Sequence, residues 1–182
     1  LIQRIIDSGI VGAGGAGFPT HEKLKGNVEY LIINAAECEP LLHSDQYVMR
    51  EKADIVIKGI EYVLGVVEAK KVVIGLKGKY KKEIESLKKA IQKSKVRIER
   101  FESKSFYPYG DEQVMLEMIA KRSIPGGGIP LDVGCVTLNV TTVAQIAEAV
   151  DLNRPVIEKI ITVTGEINNP SLINVPIGIS IK

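Results

Sequence analysis

"GIVGAGGAGFPTHEKL", Gly9 to Leu24, decides how the rest of the chain is read. Gly12, Gly14 and Gly17 stand at G-x-G-x-x-G spacing, which in dinucleotide-binding folds turns a strand into a phosphate-facing helix. This stretch departs from that pattern twice. Leu1 to Gly9 reads as a helix, with Leu1, Ile2, Ile5 and Ile6 on one stripe and Gly9 as its stop. Pro19 follows two residues after the last glycine, so no ordinary Rossmann helix is expected directly behind the loop. The glycines Gly12, Gly14, Gly15 and Gly17 leave main-chain N–H groups bare, able to wrap a phosphate or to let a flat ring lie on the backbone. A tight turn that binds nothing has the same composition, and the glycines alone do not separate the two. Lys23, just beyond, can offer a positive charge to a phosphate or a reduced ring.

Outward from the loop, apolar periodicity alternates between two types of element. "YLIINA", Tyr30 to Ala35, reads as a short buried strand, followed by helices over Ser44–Arg50 and Ala53–Leu64. "KVVIGL", Lys71 to Leu76, is a second strand, Lys79–Lys93 a lysine-rich amphipathic helix, and "VRIERF", Val96 to Phe101, a third strand. Asp111–Arg122 is a helix opened by acids and closed by Lys121 and Arg122, as the macrodipole favours. "IPGGGIP", Ile124 to Pro130, is a second glycine loop; "VGCVTLNV" is a fourth strand, Thr141–Val150 a helix, and Ile160–Thr164 a fifth strand ending at Gly165. Strands separated by helices predict an α/β domain with a Rossmann-like, mostly parallel sheet and helices on both faces. In such sheets ligands sit outside the carboxyl ends of the strands. "NAAECEP", "FYPYGDEQ" and Asn139 each follow or end a strand, so all three are expected at one end of the sheet.

Each of those polar groups has a functional and a structural reading. Asn34, Glu37 and Glu39 at a strand end can bond ribose hydroxyls or ring N–H groups, or stand as solvated loop acids. Glu37 also meets, by count, the Rossmann expectation of an acid about 20 residues beyond the glycines. Asp111 and Glu112 behind Gly110 read as helix capping, as do Asn139 and Thr142, unless a ligand phosphate shares that helix terminus. Cys38 and His43 make a poor metal pair, with only one more Cys and one more His in the chain, and no G-x-S-x-G stands beside either His.

Composition excludes several classes. No apolar run approaches the roughly 18 residues of a membrane span, and Arg4 and Asp7 break any signal-peptide pattern. Two cysteines without C-x-x-C argue against a disulfide framework, fit a reducing cytoplasm, and exclude a four-cysteine iron–sulfur site within the 182 residues. Net charge is +2, yet Glu68 to Lys104 alone carries +8 and the remainder −6. That basic stretch lacks the interleaved aromatics of a nucleic-acid surface and reads as a solvated helix face. A start at Leu1 and a last stretch like an unfinished strand suggest a piece of a longer protein.

Taken in order, "GAGGAGFPTHEKL", "NAAECEP", "YPYGDEQ", "IPGGGIPLDVG", "LNVTT" and "VTVTGEI" resemble the flavin- and NADH-binding subunit of respiratory complex I. They are still more similar to the RnfC protein of the Rnf electron-transport complex and to the electron-transfer protein of proline reductase systems. The resemblance runs from about Ile10 to Ile167. It implies FMN bound noncovalently, NADH stacking on it, and 4Fe-4S clusters only outside this stretch. It assigns Gly12, Gly14, Gly15, Gly17 and Lys23 to FMN, with Asn34 and Glu37 in the flavin-contacting strand-end loop. Tyr107, Gly110, Asp111 and Glu112 match the loop meeting flavin and nicotinamide, Asn139 and Thr142 the FMN phosphate contacts, and Phe18 an aromatic near the NADH adenine. Lys23 and Glu112 would be the catalytic pair: Lys23 stabilising negative charge on the reduced ring, Glu112 orienting the nicotinamide. The implied protein is an NADH oxidoreductase module, cytoplasmic, held near the inner face of the membrane by partner subunits. Its domains would be residues 1–165 and the start of a β-grasp-like domain at 166–182. Two departures are visible: Ala36 replaces the acid of complex I, and "YPYGDE" replaces Y-P-S-G-G-E, adding bulk at Tyr109 and charge at Asp111.

Overall fold

In the computed structural model, which describes residues 1–180, the apolar run of β1 (Asn27–Ala35) is the centre of the fold. Leu31, Ile32, Ile33 and Ala35 are fully buried, so the strand is covered on both faces, as the interior of a parallel sheet requires. It pairs in parallel with β2 (Glu68–Lys77) on one side and β4 (Cys135–Asn139) on the other; β2 pairs in parallel with β3 (Glu99–Ser103), giving the order β3-β2-β1-β4.

Alternation then separates two cores. Leu31, Ile33, Val72, Ile74, Val136 and Leu138 face a layer built from α3 (Ser44–Glu51), α4 (Ala53–Leu64), α5 (Lys81–Ile91) and α7 (Val140–Asp151). Within this layer α4 meets α7 so closely that a Cβ on Gly59 would lie 2.0 Å from the Val143 carbonyl oxygen. Ile32, Ala36 and Cys135 face the opposite way, against Met115 and Leu116 of α6 (Glu112–Ala120) and the ring of Tyr109. Helices thus cover both faces, unequally, and the thinner face leaves room for a site.

Four elements differ from the sequence-based expectation. The glycine loop, which follows α1 (Ile2–Asp7), is itself followed by a helix, but of one turn only: α2 (Thr20–Lys23), with Pro19 at its N-cap, φ −58°. The third strand starts at Glu99 rather than Val96, because the Ser94 hydroxyl takes the Val96 amide at 3.1 Å and holds that segment off the ladder. Lys121 and Arg122 do not close α6 as its last turn: Lys121 takes a left-handed conformation, φ 57°, and Arg122 leaves to pair with Glu29 and the Val133 carbonyl. The fifth strand, β5 (Glu158–Val163), does not join the parallel sheet. It has no fully buried residue, and it pairs antiparallel with β6 (Ser171–Pro176) in a separate hairpin. Residues 181 and 182, the end of the expected second domain, lie outside the described residues. Among the described residues no helix is long and apolar enough to cross a membrane.

Candidate cofactor-binding site

The chain builds β1, β2 and β3 outward in one direction, then returns to place β4 on the other side of β1. Such a reversal opens a crevice at the carboxyl ends of the two strands it separates, β1 and β4. Asn34 and Asn139 stand opposite each other there, as the last register pair of β1 and β4.

The glycine loop lies over this point. Its neck is closed by the Gly12 amide donating to the Phe18 carbonyl at 2.8 Å. Its inner edge is pinned where the Ala13 amide donates to Thr142 Oγ1 at 2.8 Å, and Gly14 packs on Asn139, 3.7 Å from a would-be Cβ. Gly15 and Gly17 have φ of 115° and 63°, which side chains rarely adopt. From Gly14 to Gly17 the loop is exposed, and among the described residues its amides meet no acceptor. The tract is an exposed turn over Ala13–Ala16 whose Gly14–Gly17 amides make a bare main-chain shelf.

Beside the shelf is a cavity of about 150 Å³. Ala16, Phe18 and Lys23 form one wall, Glu112 and the Ile129–Leu131 end of the second glycine loop the other, and Thr137 of β4 contributes to the lining. Lys23 Nζ spans it, 2.8 Å from Glu112 Oε1, donating also to the Thr137 carbonyl at 3.2 Å and lying 5.6 Å from the Phe18 ring centre. The Thr137 hydroxyl is buried with no hydrogen-bond partner among the described residues, as is that of Thr20.

The strand-end loops are bolted to each other. Asn34 Nδ2 donates to the Gly110 carbonyl at 2.8 Å, its Oδ1 accepts from the Ala36 amide, and the Gly110 amide donates to Cys38 Sγ at 2.9 Å. There is no space at Gly110 for a side chain: a Cβ would lie 1.7 Å from the Ala36 carbonyl oxygen. The expected convergence of "NAAECEP", "FYPYGDEQ" and Asn139 at one sheet end therefore holds. Several candidate residues are nonetheless engaged inside the protein. Glu37 Oε1 accepts from the Glu39 amide, while its carbonyl accepts from the buried Lys77 ammonium at 2.6 Å. Asp111 caps α6, accepting from the Gln113 and Val114 amides. Asn139 caps α7, its Oδ1 accepting from Thr141 and Thr142, and the Thr142 side chain is buried. Tyr107 is 77% exposed and lines no part of the cavity. The added bulk of Tyr109 turns inward, fully buried with its ring 5.5 Å from that of Phe106.

Two residues escaped the sequence reading. Thr137 looked like any polar residue inside a strand. Asp45 looked like an ordinary first-turn acid of α3, but it is buried and accepts from both Asn139 Nδ2, at 2.8 Å, and Thr141 Oγ1, at 2.7 Å. Burial raises its pKa above the ordinary value of 3.8.

The family model described as the Nuo51 FMN-binding domain matches residues 5–148. The chain belongs to that family. The match covers the parallel sheet, the glycine shelf and most of α7, and stops before the β5–β6 hairpin. Relatives include cobalamin reductase PduS of Salmonella typhimurium, 39% identical over 180 residues, covering 99% of this chain and 39% of the relative. A component of the proton-translocating ferredoxin:NAD(+) oxidoreductase complex of Clostridium ljungdahlii is 38% identical over 187 residues, covering 100% of this chain and 40% of that protein. The chain spans about two fifths of the length of these relatives. Among solved structures, an NAD+-reducing NiFe hydrogenase in the air-oxidized state superposes with a TM-score of 0.83 at 24% identity, over 98% of this chain and 36% of that one, and shares the α/β fold.

Proposed function

We propose that the chain is the FMN-binding electron-transfer module of an NADH-linked oxidoreductase, with the flavin seated on the Gly14–Gly17 shelf and reaching into the cavity between Phe18, Lys23 and Glu112. The observation that carries this reading is the shelf itself: exposed, unpaired amides at the β1–β4 reversal, beside the cavity lined by Phe18, Lys23 and Glu112. The residues fit the group. Bare amides and a helix N-terminus suit a phosphate-bearing tail, and the apolar wall from Ile129 to Leu131 suits a flat ring.

Bound there, FMN would supply the chemistry the side chains lack: taking two electrons as hydride and releasing them singly. The chain's own residues then position and polarise. Lys23 places an ammonium in the cavity, where it favours extra negative charge on the ring system. Glu112 holds that ammonium in place and would orient the nicotinamide of NADH. Phe18, 38% exposed at the cavity mouth, offers a face on which the adenine would stack. Asn34 and Gly110 fix the floor, and Asn139 and Thr142 act from beneath the loop on its phosphate-facing side.

Electrons would leave to iron–sulfur centres outside this chain, in a complex whose partner subunits hold it at the cytoplasmic face of a membrane. The parallel-sheet part would form the flavin domain, and the β5–β6 hairpin, which spans the expected boundary at 165, would open a β-grasp-like domain. An NAD-binding enzyme without flavin would need a strand ahead of Gly12, where α1 stands. Titration of the full chain with FMN tests the proposal: flavin fluorescence should quench on binding, and the absorbance of the bound flavin should bleach on anaerobic addition of NADH. Absence of quenching at any FMN concentration overturns it; quenching without bleaching keeps the flavin and removes NADH as donor.

A further inference from the structure

Asp45 takes no part in lining the cavity beside Lys23 and Glu112; with Ala13 and Thr141 it lines a separate one of about 250 Å³. The residue belongs to α3, yet both its carboxylate oxygens are taken by the start of α7: Oδ2 by Asn139 Nδ2 at 2.8 Å, Oδ1 by Thr141 Oγ1 at 2.7 Å. A buried carboxylate placed between two helices is costly unless its partners are worth holding. What these partners do is fixed by the geometry. An asparagine amide has one acceptor end and one donor end. With Nδ2 turned to Asp45, the Asn139 oxygen faces α7 and accepts from the Thr141 and Thr142 amides at 2.8 and 3.3 Å. That sets the first turn of α7 and, with it, the Thr142 hydroxyl, which anchors the glycine loop through the Ala13 amide. Asn139 also forms the surface on which Gly14 rests.

We propose that Asp45 is the positioning residue of the flavin shelf: it locks the Asn139 amide in the one orientation that sets the α7 N-terminus and hence the place of the Gly14–Gly17 amides. The relay runs from Asp45 through Asn139 and Thr142 to Ala13, tying α3, α7 and the glycine loop into one unit. This inference rests on the reading of the shelf as the FMN seat, and it assigns to Asp45 no contact with the flavin.

Three variants test it: Asp45→Ala, Asp45→Asn and Thr142→Val. Asp45→Ala frees Asn139 to turn, and Thr142→Val removes the Ala13 acceptor without changing the shape of the side chain. Each should weaken FMN binding about tenfold, the loss expected for one buried hydrogen bond to a charged or anchoring group. The double variant should be no weaker than the worse single one, because both act through the same anchor. Asp45→Asn should bind FMN within about threefold of the parent: an amide there still accepts from Asn139 and can donate to Thr141 Oγ1. In the flavin-free chain, hydrogen–deuterium exchange over Gly9–Phe18 should rise in Asp45→Ala and Thr142→Val but not in Asp45→Asn. Additive losses in the double variant, equal weakening by Asn and Ala at position 45, or unchanged loop exchange in Asp45→Ala would each overturn the proposal. A parent chain that never binds FMN would sink the flavin reading instead, and the exchange measurement would still decide the role of Asp45.

Discussion

Gly110 lacks a side chain because the Ala36 carbonyl and Cys38 sulfur occupy the space one would need. Gly110→Ala should push apart the two loops that Asn34 joins, lowering stability by about 3 kcal/mol or more, the upper range for forced overpacking at a buried contact. Thermal unfolding would show the loss, together with weaker FMN quenching. Asp45 gives a prediction of a different kind. Its folded pKa lies above 3.8, first because of burial and with Glu37 adding to the rise, against bonds from Thr141 and Asn139 and the charge of Lys159. A raised carboxyl contributes stability that is fully present below 3.8 and is lost as pH climbs through the folded value. Asp45→Asn does not titrate there, so the stability difference between variant and parent should move in favour of the variant between about pH 4 and pH 7. Urea unfolding at both pH values measures it; a difference that stays constant, or moves the other way, refutes the assignment. The same two residues show what could be read in advance. Gly110 stood within a recognisable motif, although the groups that crowd it come from the other strand-end loop, Cys38 being 72 positions away. Asp45 carried no local signal, since its importance comes from Asn139 and Thr141, 94 and 96 positions away.

At the level of elements, β1, β2, β4 and the long helices were legible because their apolar spacing is long and regular. Errors gathered where a single tertiary bond outweighed a local pattern. Ser94 delayed β3, and Glu29 drew Arg122 out of α6. α2 went unforeseen because one turn of helix has almost no periodicity to detect. Part of the candidate site was legible in the same sense: the loops that meet at the sheet end could be named, but not which of their side chains turn inward. Asp111 illustrates this. Its carboxylate is spent on the first turn of α6, so Asp111→Ala should cost about 1 kcal/mol of stability, as for other lost N-caps. Because that carboxylate is spent on the cap and Asp111 does not line the cavity, FMN affinity should fall less than stability does. Denaturant midpoints compared with FMN titration of the same variant would show which loss is larger.

For the molecule as a whole, the decisive feature is that the central crevice is assembled from both ends of the chain. The shelf comes from residues near Gly14 and its anchor from Thr142, with most of the parallel sheet built between them. Contacts of that sequence separation form late, since long loops must close before they are rewarded. In refolding from denaturant, quenching of added FMN should therefore lag behind the recovery of helical circular dichroism; simultaneous recovery would show that the shelf assembles early. The helix α5 packs on α3 and α4, and among the described residues its Lys81, Lys82 and Lys88 have no carboxylate within 4.0 Å. The reversal of strand order also matters during synthesis. A ribosome that has released only the glycine loop and its first strand has delivered half a berth, with nothing beneath it. With the flavin seated as proposed, loading would have to wait until the segment around Thr142 clears the exit tunnel, and a chain cut short before that point would leave the cell's flavin pool untouched.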